Sequence, residues 1–365
     1  MFKISNIQLY CMLLLLVAPV AFYQQPQQLM PILSNNAWLA VFAGFLPGVL
    51  IVLMFGHIIK KSCRPFPLLL EEHLGKPFGK LLGFAYIPFF LLVASFTLRQ
   101  FVDFLVSNVL PQTPISVFIG VLLFVGFIAV KSGLENIARV CEIVTLVGLP
   151  FSLFLAFMAL IQKFNPENLL PFAYVNYKSF GTGIFYASYI YGKILPVLTL
   201  AYFCPRKSTI KKNLMAVSLT YVLVIGLTTL AIVMTLGSAS GTLLAFPTSS
   251  MVRLLHIGEF IQNIDIIFMG IWILGVFASG SIIWFMACYI AQQVFGLNDY
   301  RFLAGPSSLI IGVGSIIISA NISELTVMSQ KILPVIYLVF FIIIPLFVFT
   351  ITLFKPYPTE NPADN

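Results

Sequence analysis

Hydrophobic positions along this chain fall in long uninterrupted runs, with polar residues gathered between them. Ten runs are long enough to cross hydrocarbon as helices, at about 6–23, 37–59, 80–109, 115–130, 140–162, 181–203, 213–236, 260–294, 303–320 and 332–354. The third and eighth exceed the requirement, so they tilt or project beyond the bilayer. The pattern predicts an all-α polytopic membrane protein of ten transmembrane helices, one integral domain over 1–354 with a short tail at 355–365. Two connections are not bare loops. Residues 66–79, FPLLLEEHLGKPFG, mix apolar and charged positions as an interfacial segment does, and residues 243–257 carry Pro247 and a helical remainder that is either a lid over a cavity or a surface helix.

Composition sharpens the class. Hydrophobic residues make up 60% of the 365 and charged residues 9%, against about 25% charged in a soluble domain. The net charge of +8 forms no patch for nucleic acid. Fourteen of the twenty Lys and Arg residues lie on one side of the predicted spans: Lys3, Lys60, Lys61, Arg64, Lys76, Lys80, Lys131, Arg139, Arg206, Lys207, Lys211, Lys212, Arg301 and Lys355. Four lie on the other side, and Arg99 and Lys193 lie within spans. Such asymmetry places both termini in the cytoplasm, with membrane lipid as the chain's immediate partner. The five cysteines and three histidines are scattered, which points to no disulfide framework and no metal site. The first apolar run has no small-residue cleavage site after it, so no cleavable signal is expected.

The first span contains Ala18-Pro19-Val20 and the sixth contains Gly192 through Pro196. A proline removes a helical hydrogen bond, and paired interruptions at matching positions of two halves mark a transporter-type site. Five spans per half make the repeat inverted, over 1–162 and 181–354. Lys193 stands at the second break. It replaces a bound cation or pairs with a ligand carboxylate, or else it is a structural lysine capped by carbonyls or by Asp265. Arg99 and Asp103, four residues apart on one helix face, read as an ion pair. Ser95 and Thr97 beside them are candidate cavity residues. Asp265 is an interfacial acid or a partner of Lys193 or Arg99. Tyr186, Tyr189 and Tyr191 either wall a pocket or pack. No catalytic motif is present, so no enzyme activity and no cofactor are expected.

Several strings carry a resemblance: HLGKPFGKLLGFAYIPFFLLVASFTLRQFVDFLV at 73–106, TPISVFI at 113–119, NPENLLPF at 165–172 and FPTSSMVRLLHIGEFIQNIDIIFMGIWI at 246–273. Over nearly its whole length the chain resembles the B-subunit permeases of spore germinant receptors, in the amino acid–polyamine–organocation superfamily. The resemblance implies a LeuT-like 5+5 inverted repeat with helices 1 and 6 broken, and a role in sensing a small-molecule germinant. It also implies A-type and C-type partner subunits and the inner membrane of the endospore. Arg99 matches the arginine of VASF-x-x-R, and Asp265 sits where the family has the second acid of a FIERFE-like string. The family's acid after the sixth break aligns with Thr199 or Leu198, and its glycines at the first break are replaced by Ala18-Pro19-Val20. The expected ligand site is therefore Ala18, Pro19, Val20, Ser95, Thr97, Tyr189, Tyr191, Gly192, Lys193, Pro196 and Thr199, with Lys193, Arg99, Asp103 and Asp265 as coupling or ion-pair residues. The expected function is a germinant-sensing subunit for an amino acid-like, sugar or nucleoside nutrient, the alternative being a proton-coupled amino acid permease.

Overall fold

A computed structural model describes residues 3–62, 64–163, 165–205, 209–256 and 263–354; Arg206, Lys207, Gln262 and the tail from Lys355 lie outside them. The described residues are helical, with no strand. In chain order the helices are α1 (Asn6–Leu33), α2 (Ala37–Ala43), α3 (Phe45–Lys61), α4 (Phe66–Leu74), α5 (Lys76–Asn108), α6 (Ile115–Ser132) and α7 (Leu134–Gln162). The second half comprises α8 (Tyr177–Ser188), α9 (Val197–Leu200), α10 (Ile210–Leu243), α11 (Pro247–Val252), α12 (Ile264–Phe295) and α13 (Ala304–Ile317). It ends with α14 (Ile322–Val327), α15 (Leu333–Tyr337) and α16 (Ile344–Leu353), joined by π-helical segments Met328–Ile332 and Leu338–Ile343.

Eight of the helical runs are long and apolar enough to cross a membrane. The first of them, Asn6–Lys61, is two crossings, because a 3-10 turn at Ser34–Asn36 separates α1 from α2 and α3. The two arms run in opposite directions along α10. Asn213 donates to the Asn6 carbonyl and Met30 lies against Gly241, whereas Phe42 meets Gly226 and Gly56 meets Leu214. With the shorter α13, the described residues supply ten crossings, the number the apolar runs predict.

Contacts between the halves show the inverted relationship directly. The first and sixth crossings meet antiparallel, with Ile4 N–H donating to Phe203 O at one end and Leu33 against Gly183 at the other. The second and seventh do the same through the Phe42–Gly226 and Gly56–Leu214 contacts. In the third and eighth, Gly83 meets Val294 and Phe104 meets Trp272. In the fourth and ninth, Tyr300 donates to Val130 O and Leu123 meets Gly312. Each crossing from one to four therefore packs against its counterpart five crossings later and runs the opposite way.

The predicted break of the first crossing does not occur. α1 is one helix of 28 residues that contains Pro19, Pro26 and Pro31 and ends at Leu33, ten residues beyond the run read from hydrophobicity. A proline leaves the carbonyl four residues earlier without its donor, and in hydrocarbon that carbonyl must find another. Pro26 frees Phe22 O, which accepts the Thr248 hydroxyl of α11; Pro31 frees Gln27 O, which accepts Gln330 Nε2 at 3.3 Å. The tenth crossing uses the same device. Pro334 withholds its N–H from Gln330 O in α register and from Ser329 O in π register, and these carbonyls accept Tyr186 Oη at 2.9 Å and Gln28 Nε2 at 3.1 Å. Pro345 leaves Phe340 O, five residues earlier in a π segment, to accept the Tyr86 hydroxyl. Side chains from other crossings and from α11 thus replace the amides missing at Pro26, Pro31, Pro334 and Pro345 and tie the helices together.

The two mixed connections take definite places. α4 buries Phe66, Leu69, Leu70 and His73, and the Glu71 backbone lies so close to Gly79 of α5 that a Cβ there would have no room. α11 buries Pro247, Thr248, Ser249, Met251 and Val252. Beside it Phe246 packs on Tyr23 and Phe104, so this stretch closes the end of the space between the first and third crossings.

If the Thr248 hydroxyl serves Phe22 O, Thr248→Val costs about 1–3 kcal/mol of stability. In a Pro26→Ala background, where position 26 regains its N–H, the same change costs much less. Thermal unfolding of the four proteins in detergent measures this coupling; equal cost in both backgrounds contradicts the proline account.

Candidate functional site

The sixth crossing is the interrupted one. α8 ends at Ser188, Tyr189–Ile194 tighten into a 3-10 helix, and after Leu195-Pro196 one turn of α9 leads into a second 3-10 turn at Ala201–Phe203. Gly192 and Pro196 explain the place. Pro196 has no amide for Gly192 O, which instead accepts Leu195 N–H at 2.9 Å, three residues on. Gly192 also has Phe341 of the tenth crossing against its Cα, within 2.6 Å of where a Cβ would stand. The glycine thus permits close approach of the tenth crossing to the interruption.

Against this segment α1 presents a face of amides absent from the expected site. Gln24, Gln25, Gln27 and Gln28 lie in the C-terminal half of α1 and are 0%, 0%, 7% and 3% exposed. Gln25 Nε2 donates to Tyr186 O at 2.9 Å. Gln28 Nε2 donates to Tyr189 Oη at 3.1 Å, and the Tyr189 hydroxyl lies 3.2 Å from Gln28 Oε1 as a donor. Gln27 Nε2 lies 3.3 Å from both Tyr23 Oη and Thr326 Oγ1, and Gln24 Nε2 lies 3.4 Å from Gln100 Oε1 of α5. The first, third, sixth and tenth crossings thus converge on one uncharged polar cluster. It is incompletely paired: the side-chain oxygens of Gln24, Gln25 and Gln27, Gln100 Nε2, Ser329 Oγ and Tyr337 Oη are buried without hydrogen-bond partners among the described residues. Each such atom costs about 1–3 kcal/mol. The helix spacing carried the signal, since positions i, i+1, i+3 and i+4 around Pro26 share a face; the polarity of FYQQPQQLMP read instead as the end of the span.

The expected site residues separate into several places. Tyr189 is in the cluster. Tyr191 points elsewhere, against Gly48 of α3 and edge-on to Tyr221 of α10 at 4.9 Å. Lys193 is 3% exposed, and its ammonium lies 5.0 Å from the centroid of the Tyr337 ring; the expected donation to opened carbonyls is not seen, because 3-10 winding occupies them. Pro196 shapes the interruption, and Thr199 is fully buried with its hydroxyl unpaired. Ala18 and Pro19 line an apolar recess among α1, α7, α10 and α12, away from the glutamines, where Pro19 O accepts Trp272 Nε1 at 2.8 Å. Val20 is buried in the same unbroken helix. Ser95 turns back on its own helix at Leu91 O and packs on Gly314, and Thr97 lines a recess between α5, α6, α12 and α13. Neither faces the cluster; Gln100 is the third-crossing residue that does.

The charged residues are settled locally. Arg99 Nε lies 3.1 Å from Asp103 Oδ1, both buried, and Arg99 Nη1 donates to Ser315 O at 3.3 Å. Asp265 pairs with Arg253 at 3.6 Å on the half-exposed end of α12, not with Lys193 or Arg99.

Known proteins are consistent with this arrangement. Residues 3–324 match the spore germination protein family. The chain belongs to that family. Spore germination protein KB of Bacillus subtilis (strain 168) is 26% identical over 345 residues, 88% of each chain, and spore germination protein A2 of the same organism is 23% identical over 293 residues, 77% of this chain and 76% of its own. Among solved structures, MhsT in complex with L-phenylalanine aligns with TM-score 0.66 at 13% identity, covering 96% of this chain and 98% of its own. Mhp1, a nucleobase-cation-symport-1 family transporter in a closed conformation with bromovinylhydantoin bound, aligns with TM-score 0.58 at 12% identity, covering 94% and 79%. The fold is the LeuT-like inverted repeat of membrane transporters.

Removing one partner of the buried pair strands the other. Arg99→Met is expected to lower stability by about 3–5 kcal/mol, and Arg99→Met with Asp103→Asn to recover most of it. Chemical denaturation or thermal unfolding in detergent checks this; a double variant no better than the single one contradicts the mutual pairing.

Proposed function

We propose that this spore germination family protein is the germinant-sensing membrane subunit of a nutrient germinant receptor. A small nutrient settles where the first, third, sixth and tenth crossings converge and shifts the balance between a closed and an open packing. The shift equals the difference in its affinity for the two states. The observation that carries the reading is the coincidence, in a chain of this family and fold, of an interrupted sixth crossing with a buried and under-satisfied polar cluster. The subunit sits in the inner membrane of the endospore beside A-type and C-type subunits. Both termini are cytoplasmic in this reading, which the arginine and lysine asymmetry supports, as do the bond from Lys3 N–H to Glu135 and the packing of Phe349 on His57 near Lys60 and Lys61.

The ammonium of Lys193, buried beside the interruption, favours a second reading as a proton-coupled amino acid permease. In liposomes a pH gradient would then drive amino acid accumulation, and Lys193→Met would abolish it.

Spores lacking only this chain are expected to lose the response to at least one nutrient, and restoring it with Lys193→Met to give a response at least several-fold slower at equal nutrient concentration. Release of dipicolinic acid measures both. Normal timing in the deletion toward every nutrient, with no related receptor compensating, refutes the sensor reading; normal timing with Lys193→Met alone makes that lysine structural.

A further inference from the structure

The fourth crossing sits lightly on the rest of the bundle, and the space behind it has a definite shape. Of the 18 residues of α6, only Ile119, Gly126 and Val130 are buried. α6 meets α12 at Gly126, where a Cβ would stand 2.8 Å from the Trp284 ring, with Phe277 beside it. Two recesses flank that contact. One, of about 480 Å³, is walled by Ala129 and Ser132 of α6, Ile137 and Val140 of α7, and Phe277 and Ala278 of α12. The other, of about 420 Å³, lies deeper, among Leu122 and Gly126 of α6, Ala94 and Leu98 of α5, and Gly280 of α12. Phe277 and Ser281 line both, and the recesses meet there.

Length and polarity say what fits. From Ser132 to Leu122 the recesses follow α6 for ten residues, roughly 15 Å at helical rise. That is half of a hydrocarbon core about 30 Å thick, the depth of one leaflet. The surface around them faces lipid, since Val125, Ile128, Val140 and Ile143 are exposed. The polar lining groups are already engaged. Ser132 and Ser281 hydroxyls donate to Ile128 O and Phe277 O, and Asn136 Nδ2 donates to Ser132 O. An occupant entering from the bilayer therefore meets apolar walls, which suit an acyl chain.

Charge at the mouth selects the headgroup. Lys131 and Arg139 are exposed on the two helices that bound it, next in sequence to Ser132 and Val140. Lys131 Nζ lies 5.1 Å from the centroid of the Phe127 ring, and among the described residues neither cation is in an ion pair. The carboxylates near them on α7 are turned to α1: Glu135 accepts Lys3 N–H at 3.0 Å and Glu142 accepts Gln8 Nε2 at 3.1 Å. Two cations without a carboxylate, at the surface end of an apolar slot one leaflet deep, complement a phosphodiester with a chain beneath it. A zwitterionic headgroup would bring its own cation into the same field.

We propose that an anionic phospholipid occupies this place, its phosphate between Lys131 and Arg139 and an acyl chain in the recesses behind the fourth crossing, where it seats α6 on α12. The test uses the full chain in detergent, titrated with dioleoylphosphatidylglycerol or dioleoylphosphatidylcholine and read by native mass spectrometry. One phosphatidylglycerol per chain is expected to be retained about tenfold more tightly than phosphatidylcholine, and a large excess of inorganic phosphate is expected not to displace it. Lys131→Gln with Arg139→Gln, with unchanged thermal unfolding, is expected to weaken phosphatidylglycerol about tenfold and to leave phosphatidylcholine unmoved. Ala129→Phe, which fills the recess and keeps both cations, is expected to weaken phosphatidylglycerol as well; if that variant fails to fold, the charge variant carries the test. Equal retention of the two lipids, phosphatidylglycerol unmoved by the charge variant or by a folded Ala129→Phe protein, or its displacement by inorganic phosphate overturns the proposal.

Discussion

Inside hydrocarbon, a carbonyl deprived of its amide has no water to turn to, and much of this structure follows from where prolines create such carbonyls. Pro26, Pro31, Pro334 and Pro345 each leave a main-chain acceptor in a crossing, and each acceptor takes a side-chain donor from another crossing or from α11. The donors are Thr248, Gln330, Gln28 and Tyr86, and Tyr186 joins them at Gln330 O. A polar side chain in a membrane helix is costly alone; here its cost and that of the freed carbonyl offset one another. The contacts are also directional, so they fix which parts of the first, third, sixth and tenth crossings face each other.

Pro196 behaves differently because of its neighbour Gly192. With no side chain at 192, the tenth crossing presses Phe341 onto the backbone, and the segment tightens to 3-10 winding that meets its own carbonyls. The same residue type therefore leaves one crossing wound and tied to its neighbours, and interrupts another. The local difference is whether a donor can reach the freed carbonyl from outside or must come from the segment itself.

The ten crossings, their antiparallel halves and the interruption at Gly192–Pro196 were legible in the sequence, because hydrophobic run length follows from bilayer thickness and a glycine four residues before a proline loosens the backbone. The C-terminal half of α1 was not. Its four glutamines lower local hydrophobicity as a loop does, and only their shared helix face distinguishes a buried amide cluster from a connection. Ala18-Pro19-Val20 read as a break because proline removes a hydrogen bond, yet α1 continues through it; the donors that serve the carbonyls freed further along by Pro26 and Pro31, Thr248 and Gln330, lie more than two hundred residues away and no local pattern announces them. For Asp265 the sequence left three partners or places open, because charge type was visible but not which residue the fold brings beside it; the structure pairs it with Arg253.

The central claim is that α1 stays wound through its prolines and turns its glutamines onto the interrupted sixth crossing. Electron cryomicroscopy of the full chain in nanodiscs, at a resolution that shows side chains, tests it most directly. The account expects continuous helical density over Asn6–Leu33, with the Gln28 amide within hydrogen-bonding distance of the Tyr189 hydroxyl. Unwound density at Ala18–Val20 with the glutamines turned toward lipid would contradict it.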